Sequence, residues 1–157
     1  MRNIEKRIDD LHDYIVYAEK HSNDISTVNV GWHIEHTLLV IIKIIETVSK
    51  SDASQYKWKL NWTRIIVFLI NRFPRGKANA PDIVKPIQHT SPDFEAIFTQ
   101  ARKSISTLKQ VQANNFFLHP IFGNLNKKNT FIMLDIHTRH HIYIIKDIIK
   151  SAKKIQA

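Results

Sequence analysis

NVGWHIEHTLLVIIKIIETVSK, residues 29–50, carries Ile, Leu and Val with hardly a helix breaker. Asn29 follows the polar stretch HSNDIST and suits an N-cap, so this segment reads as a long, mostly buried helix. A helix apolar on so much of its surface needs other helices around it. The neighbouring sequence supplies them. Ile4, Ile8, Leu11, Ile15 and Ala18 recur at spacings of three and four, which predicts a first helix over residues 3–20. Residues 56–73, YKWKLNWTRIIVFLINRF, predict a short aromatic helix closed by Pro74. Pro81, Pro86 and Pro92 then predict a long irregular loop.

Ser91-Pro92-Asp93 opens a further helix with proline at its first position, and Phe94, Ile97, Phe98, Ala101, Ile105 and Leu108 carry the period to about Val111. After a second loop with Pro120 and Gly123, Asn126 caps a last helix over residues 127–154. Four main helices and a short one predict an all-α chain, an antiparallel four-helix bundle with one extra short helix and a long proline-containing loop, in a single domain over residues 1–157.

Composition narrows the chemistry. Of 157 residues, 43% are hydrophobic and 24% charged, which suits a packed globular chain. Cysteine is absent, excluding disulfides, thiolate metal sites and a cysteine nucleophile. Only 3 glycines and 5 prolines occur, too few for a turn-dense β architecture, and the glycines are too scattered for a phosphate-cradling loop. The N-terminal residues carry charge at helical spacing instead of a secretory pattern, and no apolar run approaches a membrane span. A cytoplasmic protein without a membrane partner is expected. The formal charge of +9 favours anions in general. Because Lys and Arg are spread along the chain without a nucleic-acid-binding motif, nucleic acid is not expected as a partner.

Nine histidines are many for this length. His137 and His141 are four apart on the last helix, one turn from each other, the spacing at which two imidazoles grip one divalent ion. Their face also carries Leu134, Ile144, Ile145 and Ile148, so the pair points into the bundle. A bundle metal site draws ligands from facing helices, and Trp32-His33-Ile34-Glu35-His36 on the long helix offers a third. Periodicity places His33 with Val40 and Ile44 on the apolar sector and His36 towards Lys43 and Thr47 at its polar edge, a slight preference for His33. Glu35 is either a solvated carboxylate or a partner to a ligand, and His140 is either exposed or a neighbour of the ligands.

Four stretches, VGWHIEHTLLVI, FPRGKANAPDIVKP, HPIFGNLNKK and HTRHH, together resemble the DinB-like superfamily and most closely its DUF1569 family. The similarity runs from about Asn29 to Ile149, and its specific part is HP-x-FG-x-L followed about a dozen residues later by H-x-x-HH. The resemblance implies a four-helix bundle, commonly dimeric, that holds a divalent metal by one histidine of the second helix and two of an H-x-x-x-H on the last. His137 and His141 match that H-x-x-x-H, and counting about seven residues from the cap reaches His36. The implied set is therefore His36, His137 and His141. Imidazole ligands favour zinc or nickel, with iron or copper allowed, over magnesium or calcium.

Members of the superfamily include thiol S-transferases that use low-molecular-weight thiols, and metal-dependent hydrolases. The expected function is thus a metal-dependent enzyme that activates a thiol or water. Its alternative is a non-catalytic helical binding module or dimer of the same fold. Arg72, Arg75, Lys77 and Lys85 are read as a solvated basic loop, His119-Pro120 as a turn, and His12, His21 and His89 as surface residues. Trp58, Trp62, Phe68 and Phe73 are read as core or interface aromatics.

Overall fold

The computed structural model describes residues 4–74, 86 and 92–155. Within them lie helices α1 (Ile4–His12), α2 (Val30–Lys50), α3 (Trp62–Ile70), α4 (Phe94–Gln110) and α5 (Lys127–Ile155), and strands β1 (Phe116–His119) and β2 (Gly123–Asn126). The expected loop over residues 75–85 and 87–91, with Arg75, Lys77, Lys85 and His89, lies outside the described residues.

The long helices begin where their caps predict. The Asn29 side chain accepts from the Trp32 amide at 2.9 Å, and the Asn126 side chain from the Asn129 amide at 3.1 Å. The cap of α4 is Asp93, which accepts from the Ala96 amide at 3.0 Å. Pro92 therefore precedes the cap, and the helix starts two residues later than expected. The first helix also stops at His12, short of residue 20. The chain beyond it turns back so that the carbonyls of Lys20 and Ala18 accept the Val30 and Gly31 amides at 3.0 and 2.8 Å. Those are amides at the start of α2 that the helix itself leaves unpaired, and the returning chain satisfies them. Gly31 permits the approach, since a Cβ there would stand 3.3 Å from the Ala18 Cβ.

The all-α expectation fails between α4 and α5. Residues 116–126 form an antiparallel hairpin in which Phe117 faces Leu125 and His119 faces Gly123. Gly123 takes φ 68°, a left-handed conformation that closes a short turn at little steric cost to glycine. The His119 ring secures the turn, its Nδ1 accepting the amides of Ile121 and Phe122 at 3.1 and 3.3 Å. The reading of His119-Pro120 as a turn thus holds, but the turn joins strands.

The described residues are mostly helical, with this small two-stranded sheet. α2 packs against both α4 and α5, and α1 against both of those. Ile34, Leu38 and Ile41 of α2 meet Phe98 and Ile105 of α4 and Leu134 of α5 in one buried apolar cluster. None of the described helices is long and apolar enough to cross a membrane.

α3 is held differently. It begins at an Asn61 cap and ends at Asn71 in a left-handed conformation, so residues 56–61 are not helical as expected. Its buried residue is Arg64, whose guanidinium donates to the carbonyls of Lys59 at 2.7 Å, Asn124 at 3.2 Å and Phe122 at 3.3 Å. Trp62, Ile66, Leu69 and Ile70 face outwards, and Trp58 is also exposed, so neither tryptophan belongs to the core. Phe68 and Phe73 do pack against it. Val67 and Phe68 give α3 partial apolar burial, and the fully buried anchor of the helix is Arg64. Replacing it with Met strands three carbonyl acceptors and is expected to cost about 2 kcal/mol. Hydrogen exchange should quicken first in α3 and the hairpin, and unchanged protection there would show that Arg64 does not seat the helix.

Candidate metal centre

The cap at Asn29 places His33 and His36 in the first two turns of α2, on the side that meets α5. At the other wall, the Thr130 hydroxyl donates to the carbonyls of Leu125 and Asn126, tying the start of α5 to β2. His137 and His141 follow two and three turns later. His36, His137 and His141 then meet, each offering one ligand atom, with these atoms all within 4.8 Å of one another. Their ring centroids are 5.3 Å apart for His36 and His137, 4.8 Å for His36 and His141, and 4.6 Å for His137 and His141.

Aromatic groups close around the three. Trp32 stacks on His36 at 4.8 Å between centroids with planes 15° apart. Phe73, just beyond α3, lies 6.2 Å from the His137 ring and 6.0 Å from His140. Phe122 of the hairpin backs Phe73 at 5.9 Å and stacks on His119 at 4.4 Å. The HP-x-FG segment therefore builds the wall behind Phe73 as well as a turn. Half-buried His140 sets its ring edge-on to His141 at 5.3 Å, beside the ligand set and outside it. Glu35 is half-buried, and desolvation raises its carboxyl pKa.

The electrostatics suit neutral imidazoles. Burial first, then repulsion from the neighbouring histidines, holds His137 and His141 well below the ordinary histidine range. His33 is pushed down to about 4 for the same reasons, and His119 to about 4 by burial. A neutral imidazole presents one lone pair, the state a metal requires of a histidine ligand.

A divalent ion fits these donors on a specific ground. His137 keeps part of its surface exposed, yet its Nδ1 is shut off from solvent and has no hydrogen-bond partner among the described residues. A buried polar atom without a partner costs about 1–3 kcal/mol. Three imidazoles on one zinc bring their nitrogens to roughly 3.4 Å from one another, so each ring needs an inward shift of under about 1 Å.

The two candidates left open on α2 both lie at the centre. His36 joins His137 and His141, while His33 sits on the far side of His141 with a nitrogen-to-nitrogen distance of 3.0 Å. Residues three apart on a helix share a face, and that spacing was the available sign that both could matter. Of the other histidines, exposed His21 is a surface residue as expected, whereas His12 is half-buried, with Nε2 2.8 Å from Glu95 and its ring edge-on to Phe98.

Compared with protein-family models, curated proteins and solved structures, the chain finds no match in any of the three.

Proposed function

We propose that the protein is a metal-dependent member of the DinB-like superfamily, nearest the DUF1569 family, in which His36, His137 and His141 hold one divalent ion. The observation that carries the reading is the buried Nδ1 of His137, without a partner among the described residues, inside a three-histidine cluster. In this reading α1, α2, α4 and α5 are the four helices of an antiparallel bundle, with α3 and the hairpin as additions. Zinc or nickel suits an all-imidazole donor set best, with iron or copper next.

An ion held by three imidazoles retains a position for a thiol or water and lowers the pKa of the group bound there. The chain's own side chains shape the surroundings. Trp32 and Phe73 limit water on two sides, and half-buried His140, edge-on to His141, is a group near the site with which a substrate proton can exchange. The activity proposed is thiol transfer from a low-molecular-weight thiol, or hydrolysis. A homodimer belongs to the same reading, supported by the apolar residues that α3 presents outwards, Leu69 with 79% of its surface exposed.

Metal analysis by mass spectrometry tests this directly, on untagged protein purified without chelator. Near one equivalent is expected in the wild type and under about a tenth in His36→Ala and His141→Ala, since each removes one of three ligands. A wild type without metal even after reconstitution would overturn the reading in favour of a non-catalytic binding module.

A further inference from the structure

We infer that Ser26 and His33 form a positioning relay that sets His141 to bind the ion through Nε2. The inference rests on the function proposed above and assigns a role to a histidine outside the ligand set. The relay is a chain of short contacts. Ser26 Oγ lies 3.0 Å from His33 Nε2, and His33 Nδ1 lies 3.0 Å from His141 Nδ1. Both histidines are buried, at 5% and 7% exposure.

A neutral imidazole carries one N–H and one lone pair, so the contact between the two Nδ1 atoms has two possible directions. If His33 donates, His141 accepts at Nδ1 and must carry its proton on Nε2, which leaves neither nitrogen for an ion. If His141 donates from Nδ1, its Nε2 keeps the lone pair that a ligand needs. His33 then accepts at Nδ1, carries its own proton on Nε2 and donates it to Ser26 Oγ. That oxygen is placed to accept, since it also takes the Val28 amide at 3.3 Å. Only the second direction is compatible with ligation by His141.

Metal-bound histidines ordinarily donate their other N–H to a carboxylate, a carbonyl or water. Here a second imidazole takes that place and a hydroxyl takes the proton of the second. The backbone holds His33 for the task, its amide donating to the Asn29 carbonyl at 3.4 Å and its carbonyl accepting from the Thr37 hydroxyl at 2.7 Å.

Cobalt(II) is the probe, titrated into metal-free wild type, His33→Leu, His33→Asn and Ser26→Ala while the visible absorption is recorded. Leu removes the acceptor, whereas Asn returns one, its Oδ1 standing about where Nδ1 stood. We expect Leu to weaken cobalt binding about 10–100-fold with shifted bands, Asn to stay within about threefold, and Ser26→Ala to fall between them. In zinc-loaded wild type, nitrogen-15 spectra should show the proton of His141 on Nδ1. Unchanged affinity and bands in His33→Leu would overturn the relay alone, as would an Asn variant as impaired as Leu, which would mark His33 as packing or as a ligand. A His141 proton found on Nε2 would also overturn it without needing any variant to fold. Failure of the wild type to bind cobalt would instead remove the function proposed above, and the relay with it.

Discussion

Zinc added to the metal-free protein at a thousand times its Kd is expected to raise the unfolding free energy by about 4 kcal/mol. For a chain of this size that lifts Tm by roughly 10 °C. The gain depends on the fold. His36 stands about a hundred positions before the His137–His141 pair in the chain, and packing of α2 against α5 brings the three within 4.8 Å. His137→Leu should abolish the zinc response. It should also leave the metal-free protein as stable as the wild type, or more stable by up to about 1 kcal/mol, because it removes a buried nitrogen that has no partner among the described residues. Thermal denaturation with and without zinc reads both effects. An undiminished zinc shift in His137→Leu would remove His137 from the site. A fall of more than about 2 kcal/mol in the metal-free variant would mean that the ring serves the fold itself.

Acid should be nearly as damaging to the metal-free protein. His33 titrates near 6.5 in the unfolded chain and is pushed down to about 4 in the fold, by burial first and then by repulsion from His36 and His140. Between those values the unfolded chain binds the proton and the folded chain does not, so stability falls as the pH falls. Above about 6.5 both states are neutral at this residue and the fold keeps its full stability. Below about 4 both are protonated and the loss levels off. A difference of about 2.5 units amounts to about 3 kcal/mol from His33 alone. His137, His141 and His119, lowered in the same direction, add to the loss. Urea midpoints measured from pH 7 to pH 4 should decline through this window, and His33→Asn should flatten the slope. A midpoint unchanged down to pH 4.5 would contradict the burial of these rings.

Periodicity and caps were enough to locate α2, α4 and α5. Asn29 and Asn126 start their helices as read, since capping needs only a side chain three residues before a free amide. The H-x-x-x-H spacing likewise placed His137 and His141 on one face, because a helix sets the geometry of residues four apart without help from elsewhere. Where local preference competed with distant partners, the sequence misled. The stripe through Ile15 and Ala18 suggested a longer first helix, but the carbonyls of Ala18 and Lys20 are taken by the start of α2. The residues 116–126, read as loop, pair as strands once Phe117 and Leu125 are buried together and His119 takes up the turn amides.

By itself, then, the sequence determined that the chain is mostly helical, where the long helices begin, and that two histidines on the last helix lie together on one face, because these properties depend on neighbours within a turn. Tertiary structure alone decided the rest. Periodicity could rank His33 and His36 only by how apolar their sectors were, whereas the packing of α2 on α5 sets one beside the His137–His141 pair and the other behind His141. Tertiary contacts likewise set Phe73 beside His137 and buried Arg64 against the hairpin carbonyls of Phe122 and Asn124. These contacts join residues about sixty positions apart, and no local pattern encodes which of several buried side chains will meet.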